Sequence, residues 1–447
     1  GYGEDLIKNA FSVDAGLVET MAHLRRPFAF AQKTRYTDSI TEPKGLKTMR
    51  IPPKDPAGME QEILRNFAVP YAENTGSLPL LEKCLRCGLP VKEIVERLTG
   101  SRNTLLYDRS GRPSLMVRVP KFYLDEVLPG AEHRPHPMFA DGTDYIYLSK
   151  YQNTMEDGLA YSLPGRDIKN FINYDEALAC CAEKGKGWHL MSNFEWAGLA
   201  LWCRAHSLDP RGNNRYGADC ARPEECGEPA AFMPDGRPSR VLTGSEPAAW
   251  SHDGTLDGIF DLNGNVAEWV GGLRMRDGKL LLPEALDASS DAQRRGSPYW
   301  HALLPTGEPV PPDAKYALHF DYTAAPPPAG GTPAFALSDA RRYRQEDYMH
   351  ETPGVDETYG HMRFCDFTAL SGVDVPEILR IACIFPSDEK CAPGNLYFRN
   401  NGEMAALRGG HWYHGQSAGI FWLNLAHRPE YRAERIGFRC AYLPANP

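Results

Sequence analysis

A chain of 447 residues, 42% hydrophobic and 24% charged, has room for two or three domains and the balance of a globular protein. Its formal net charge of -9, with no basic stripe, excludes the cationic face that phosphate contacts need and so argues against nucleic-acid binding. No apolar run reaches the roughly 18 residues of a membrane span, and Gly1-Tyr2-Gly3-Glu4-Asp5 carries no mark of a signal peptide.

Residues 1–103 are expected to form a small N-terminal domain or arm with helices. Helical spacing runs over residues 16–26 and again over 78–98, where Val91, Ile94, Val95 and Leu98 make an i, i+3, i+4, i+7 set. Pro52, Pro53 and Pro56 break the pattern between them. From Thr104 the texture changes to short strands, first over residues 115–123 and then 144–151, both rich in β-branched and aromatic residues. Asn173-Tyr174-Asp175-Glu176 opens a helix, with Asp175 suited to its N-terminal end. A second helix starts at Ser192 or Asn193 and points Trp196, Leu199, Ala200 and Cys203 inward. Residues 280–345 read as a surface insertion, because Pro305, Pro309, Pro311, Pro312, Pro326, Pro327, Pro328 and Gly330-Gly331 suit loops better than a core. Short strands return from Asn395. Eleven cysteines, an odd number set mostly among apolar neighbours, predict buried free thiols in a reducing compartment and no disulfide framework.

Three segments together resemble one family. Gly187-Trp188-His189-Leu190 with Ser192-Asn193-Phe194-Glu195-Trp196, then Gly264-Asn265-Val266-Ala267-Glu268-Trp269, then Arg408-Gly409-Gly410-His411-Trp412 with Ile436-Gly437-Phe438-Arg439, are similar in order and spacing to formylglycine-generating-enzyme-like proteins. The resemblance spans roughly residues 105–445 and implies an α+β fold of the C-type-lectin type with long loop insertions, over residues 104–447. Residues 408–439 also resemble the variable region of proteins diversified by diversity-generating retroelements, many of them phage or prophage tail-type proteins. In that family adenine-directed mutagenesis rewrites Asn-type codons and leaves the framework alone.

The resemblance implies a binding protein and no enzyme. Its ligand-binding positions would be His411, Tyr413, His414, Gln416, Ser417, Trp422, Ala426, His427, Glu430, Tyr431, Ala433 and Glu434. The frame would be Arg408, Gly409, Gly410, Trp412, Leu423, Asn424, Leu425, Gly437, Phe438 and Arg439. Read on their own, the frame residues suit turns and a core, while the positions between them mix aromatic and small polar groups as a paratope does. About ten such side chains could cover roughly 800 Å² per partner. Tyr413, Trp422 and Tyr431 are the expected hot spots, because large aromatics dominate such interfaces. The implied partner is a protein or other macromolecule, without nucleic acid or membrane insertion, and the implied setting is a virion or a bacterial cell surface.

Other chemistries weigh less. Formylglycine generation needs a thiol pair near the Arg-Gly-Gly segment, and no cysteine lies between Arg408 and Arg439. Gly415-Gln416-Ser417-Ala418-Gly419 matches a nucleophile elbow in letters, but Ile420-Phe421-Trp422-Leu423 after it favours a strand where the elbow requires a helix. Cys84 and Cys87 lack a second close pair for zinc. No cofactor is expected. Asp261-Leu262-Asn263-Gly264-Asn265 has the residue types of a calcium loop, and equally those of a tight turn with Asn and Gly at positive φ, which is the favoured reading. A structural tail or surface subunit without a diversified site stays open as an alternative, and it predicts that Tyr413, His414 and Tyr431 are buried.

Overall fold

The computed structural model describes residues 55–139, 143–323, 334–344, 359–387 and 393–444. Helices α1 (Pro56–Ile63), α2 (Val69–Thr75), α3 (Leu78–Arg86) and α4 (Val91–Leu98) come first. Asp55 Oδ1 caps α1 by accepting from Gly58 N, and Pro56 opens the helix where no N–H is needed. The Val91, Ile94, Val95 and Leu98 stripe is buried as its spacing predicts. It packs in one cluster with Leu105, Leu115, Tyr161, Val241, Trp250 and Phe260. The described part of the expected N-terminal unit is therefore a helical cap on the main body, and the boundary after residue 103 falls inside strand β1. The helix expected over residues 16–26 lies outside the described residues.

The body is a mixed α+β structure. β1 (Asn103–Tyr107), β2 (Pro113–Pro120) and β3 (Tyr145–Ser149) run antiparallel, and β4 (Thr154–Glu156) and β5 (Leu159–Tyr161) make a small hairpin. Next come α5 (Leu124–Val127), α6 (Tyr174–Ala182), β6 (Trp188–Leu190) and α7 (Asn193–Ala205). Asn173 caps α6 and Ser192 caps α7, each in a capping box with the glutamate three residues on, Glu176 and Glu195. Trp196, Leu199, Ala200 and Cys203 face the core, as expected.

A larger sheet follows, built from β7 (Ala267–Arg276), β8 (Lys279–Pro283), β9 (Trp300–Leu303), β10 (Pro309–Val310), β11 (His319–Tyr322), β12 (Phe335–Ser338), β13 (Gly360–Arg363), β14 (Asn395–Phe398), β15 (Glu403–Gly409), β16 (Gly419–His427) and β17 (Ile436–Phe438). Among the described residues its main path is β10-β9-β8-β7-β15-β16-β14-β13, with β17 parallel to β7. The last strand, β18 (Cys440–Tyr442), returns to the first sheet between β3 and β6. Short helices α8 (Ser290–Gln293) and α9 (Glu377–Ile381) lie on the connections.

Two expectations need correction. Residues 280–345 are not only surface loops: β8 to β12 extend the sheet, and Trp300, Leu303, Phe320, Tyr322, Phe335 and Leu337 are buried. The prolines misled because Pro309 sits on β10, an end strand of the path, where a missing N–H costs no ladder bond. Pro326, Pro327, Pro328 and Gly330-Gly331 lie outside the described residues. Secondly, Cys365 is disulfide-bonded, so the thiols are not all free. Cys84, Cys180, Cys181, Cys203, Cys383 and Cys440 are free and buried.

Candidate binding surface

Two buried arginines fix the ends of residues 408–439. Arg408, at the end of β15, donates from Nε and Nη2 to Asn193 Oδ1 at 2.9 and 2.7 Å. Its Nη2 also reaches the carbonyls of Ala382 and Cys383, both at 3.1 Å, just past the C-terminus of α9. Helix-end carbonyls favour a cation there, although burial lowers the guanidinium to about 10. Arg439, between β17 and β18, pairs with Glu268 of β7 and donates to the carbonyl of Phe260 at 2.9 Å. Neither arginine has measurable exposure.

Glycines shape the turn after Arg408. Gly409 and Gly410 have φ of 88° and 78°, where a side chain would be strained, and a Cβ on Gly410 would stand 2.9 Å from that of Ala418. The turn is then sewn to two other segments. Gly264 N donates to Gly409 O, Trp412 N to Asn265 O, Tyr216 N to Trp412 O and Gly415 N to Asn214 O, all between 2.7 and 3.2 Å. Residues 211–217 and 261–266 thus support the turn from below. The Trp412 ring is buried against Ile168 and Val266.

A continuous set of rings lies over this frame. His411 and His414 are 3.6 Å apart by ring centroid, and Tyr413 is 4.1 Å from His411 and stacks on Tyr216 at 6.5 Å. His414 meets Trp422 at 5.2 Å and Tyr397 at 6.1 Å. Tyr397 stacks on His361 at 5.8 Å, and His361 meets Tyr359. Further along, His427 stacks on Tyr431 at 4.3 Å, and Arg435 Nη2 donates to the Tyr431 hydroxyl at 3.0 Å. Burial, with Arg435 beside them, pushes His414 and His427 down to about 3; His411 falls well below its usual value through burial and then its neighbour His414. At neutral pH all three imidazoles are uncharged. Tyr397, His361, Tyr359 and Tyr216 escape a reading of residues 408–439 because they arrive from other strands and loops.

Of the expected ligand-binding positions, Tyr413 (41% exposed), Gln416, Glu430 and Glu434 face water, while His414, Ser417, His427 and Tyr431 are half-buried. His411, Trp422, Ala426 and Ala433 are buried and do not form the outer surface. The cause is packing from other segments: Tyr397 and His414 lie over Trp422, and Trp412, Tyr413 and His414 surround the His411 ring. Trp422 packs on Tyr397 at 5.5 Å and is 2% exposed, so it is a core ring and no exposed hot spot. Ala426 and Ala433 lie in the cluster of Trp269, Ile436 and Phe438. The expected frame residues Trp412, Leu423, Asn424, Leu425, Phe438 and Arg439 are buried. A Cβ on Gly437 would meet Val266 at 2.8 Å, which explains the glycine. Gln416 also lines a cleft of about 590 Å³ with Asp209, Asp219, Arg222 and Asn263.

The loop over residues 261–265 is a tight turn whose asparagine side chains bond within the protein. Asp261, Gly264 and Asn265 adopt positive φ, as a tight turn requires. Asn263 Oδ1 accepts from Asn214 Nδ2, and Asn265 Oδ1 accepts from Asn213 Nδ2 and Val241 N. Gln152 Nε2 donates to Val266 O at 2.8 Å and Glu268 Oε1 at 2.9 Å, just past the loop. Burial raises Asp261 to about 6, and its neighbour Glu246 is raised as well, first by burial and then by Asp261. Among the described residues no group of three or more His, Cys, Asp or Glu side chains is placed to hold a metal. Ser417 Oγ donates to His414 O at 2.6 Å and is followed by β16, so the elbow-like letters form no elbow.

No family model matches the sequence, and no curated protein matches it. Among solved structures the chain is similar to PvdO from Pseudomonas aeruginosa, at 14% identity and a TM-score of 0.30, over 76% of this chain and 97% of that one.

Proposed function

We propose that this protein is a binding protein of the diversity-generating-retroelement type, presenting a changeable surface on a C-type-lectin-like scaffold to a protein or other macromolecule. The observation that carries the reading is a contrast within residues 408–439. Arg408 and Arg439 are fully enclosed at the two ends, while Tyr413, Gln416, Glu430 and Glu434 project into water between them. Side chains held on such a frame lose little freedom on binding, which favours affinity. Tyr413 and Tyr431, neither of them fully buried, are the aromatic anchors of this surface, flanked by uncharged imidazoles. The partial exposure of Tyr413, His414 and Tyr431 favours this reading over a purely structural subunit, in which all three would be enclosed.

A library randomised at Tyr413, Gln416, Ser417, His427, Tyr431 and Glu434 tests the claim. Most members should stay soluble and melt near the parent, and selection on an arbitrary protein target should return binders. Widespread unfolding would show that these positions are structural. The gene gives a second test. A near-copy of the segment encoding residues 408–439, differing at adenines and lying beside a reverse-transcriptase gene, is expected. A locus without one leaves at most a fixed binding surface.

A further inference from the structure

Cys181 of α6 and Cys440 of β18 stand with their sulfur atoms 2.7 Å apart, both buried. That is closer than two unbonded sulfurs rest and not far beyond the S–S bond of about 2.05 Å. The backbone around them is held from both sides. Cys440 pairs with Leu190 of β6 and donates its N–H to Asn153 Oδ1 at 2.7 Å, while α6 packs against β6. The neighbouring Cys180 donates to Ala177 O and also lies against the Cys181 thiol, so it is the competing partner.

We propose that Cys181 and Cys440 form a disulfide that locks the end of the C-terminal segment to α6. The reaction is thiol–disulfide exchange with a protein or small-molecule disulfide as oxidant. The Cys181 thiolate attacks that disulfide, forming a mixed disulfide and releasing one thiolate. Cys440 then displaces the second, closing the new S–S bond. Two cysteine thiols are oxidised by two electrons, the reagent disulfide is reduced to two thiols, and the two cysteine protons pass to them. Burial pushes the Cys181 thiol well above its usual range, so the folded chain is a poor nucleophile there. The exchange therefore belongs to the last stage of folding, before β18 seals the pair. The chain already carries a disulfide, at Cys365. Cys440 directly follows Arg439, and α6 also receives Arg432, which pairs with Glu176 at 2.8 Å, so the cross-link would brace the same end of the segment from the other side.

The test uses the full chain made in an oxidising bacterial compartment, capped with N-ethylmaleimide during unfolding, digested without reductant and read by mass spectrometry. A peptide joining Cys181 to Cys440 is expected, with near-complete loss of maleimide on Cys440. The link should survive Cys180→Ala and vanish in Cys181→Ala. Cys365 serves as the internal standard. If Cys365 is oxidised while Cys181 and Cys440 both carry maleimide, or if Cys440 joins Cys180 instead, the proposal fails.

Discussion

Arg439 meets Glu268 in a two-point pair, Nε to Oε2 at 2.6 Å and Nη2 to Oε1 at 2.5 Å, with both side chains closed off from solvent. Gln152 donates to the same Oε1, and Arg439 spans on to the carbonyls of Ser149, Phe260 and Asp261, so one ion pair joins β7, the end of β3, the residue after β17 and the turn beneath the candidate surface. Removing one partner leaves a buried charge without its counter-charge. Glu268→Gln and Arg439→Met should each lose about 3–5 kcal/mol of unfolding free energy. Urea titration of the single variants checks this. A loss near zero in either would mean that water reaches the pair.

The glycine turn gives a sharper local test. Gly410→Ala forces a Cβ onto a residue at φ 78° and into the Ala418 side chain. A loss of about 1–3 kcal/mol is expected. Gly415→Ala, at φ 56° with open space around the added carbon, should lose only about 1 kcal/mol. Equal losses would show that backbone conformation alone, and no crowding, sets the cost at Gly410.

Buried histidines set the response to acid. Burial lowers His136 to about 3 and both His252 and His319 to about 4. Their folded values lie below the unfolded value of about 6.5, so the unfolded chain takes up protons that the folded chain refuses. The stability they contribute is complete above pH 6.5 and is lost as pH falls towards 4. Each such proton costs up to about 1.4 kcal/mol per pH unit. His189 works the other way. Both ring nitrogens face acceptors, Gly187 O at 3.0 Å and Glu195 Oε1 at 2.8 Å, and its pKa is raised, so its contribution is present below pH 6.5 and lost on going alkaline. These lowered groups, joined by His411, His414 and His427, outweigh the one raised group. The denaturation midpoint should fall steadily from pH 7 to 5, and less steeply in His136→Gln. A flat profile over that range would contradict the burial of these rings.

How far the sequence reveals this architecture depends on how local each feature is. Caps and periodicity mark α4, α6 and α7, and the alternation over residues 115–123 and 144–151 marks β2 and β3 within a few residues. The family resemblance marks Arg408 and Arg439 as frame, though only folding shows that Arg439 pairs with Glu268. Sheet order is not local. Nothing near Trp422 indicates that β14 will lie parallel to β16 and bring Tyr397 over its ring. Nor does a run dense in proline disclose strands such as β11 and β12, where Phe320, Tyr322 and Phe335 supply core contacts. Trp422 and Tyr413 are both aromatic residues of the same segment. Which of them is covered is decided by the neighbouring strands.

That difference between Tyr413 and Trp422 is measurable in single substitutions. Tyr413 is 41% exposed and touches Tyr216 and His411 along its ring faces and edges, so Tyr413→Ala removes little buried area and should change stability by less than about 1 kcal/mol. Trp422 fills the space between Tyr397 and His414, and Trp422→Ala leaves a cavity that should cost about 3–5 kcal/mol. Among the described residues the Trp422 Nε1 has no hydrogen-bond acceptor, so Trp422→Phe removes an unsatisfied donor along with some volume and should cost much less than alanine. Urea midpoints of the three variants, measured together, separate surface from frame within ten residues of chain. Similar losses for Tyr413→Ala and Trp422→Ala would erase the distinction on which a changeable surface over a fixed scaffold depends, because a position that supports the core is not free to vary.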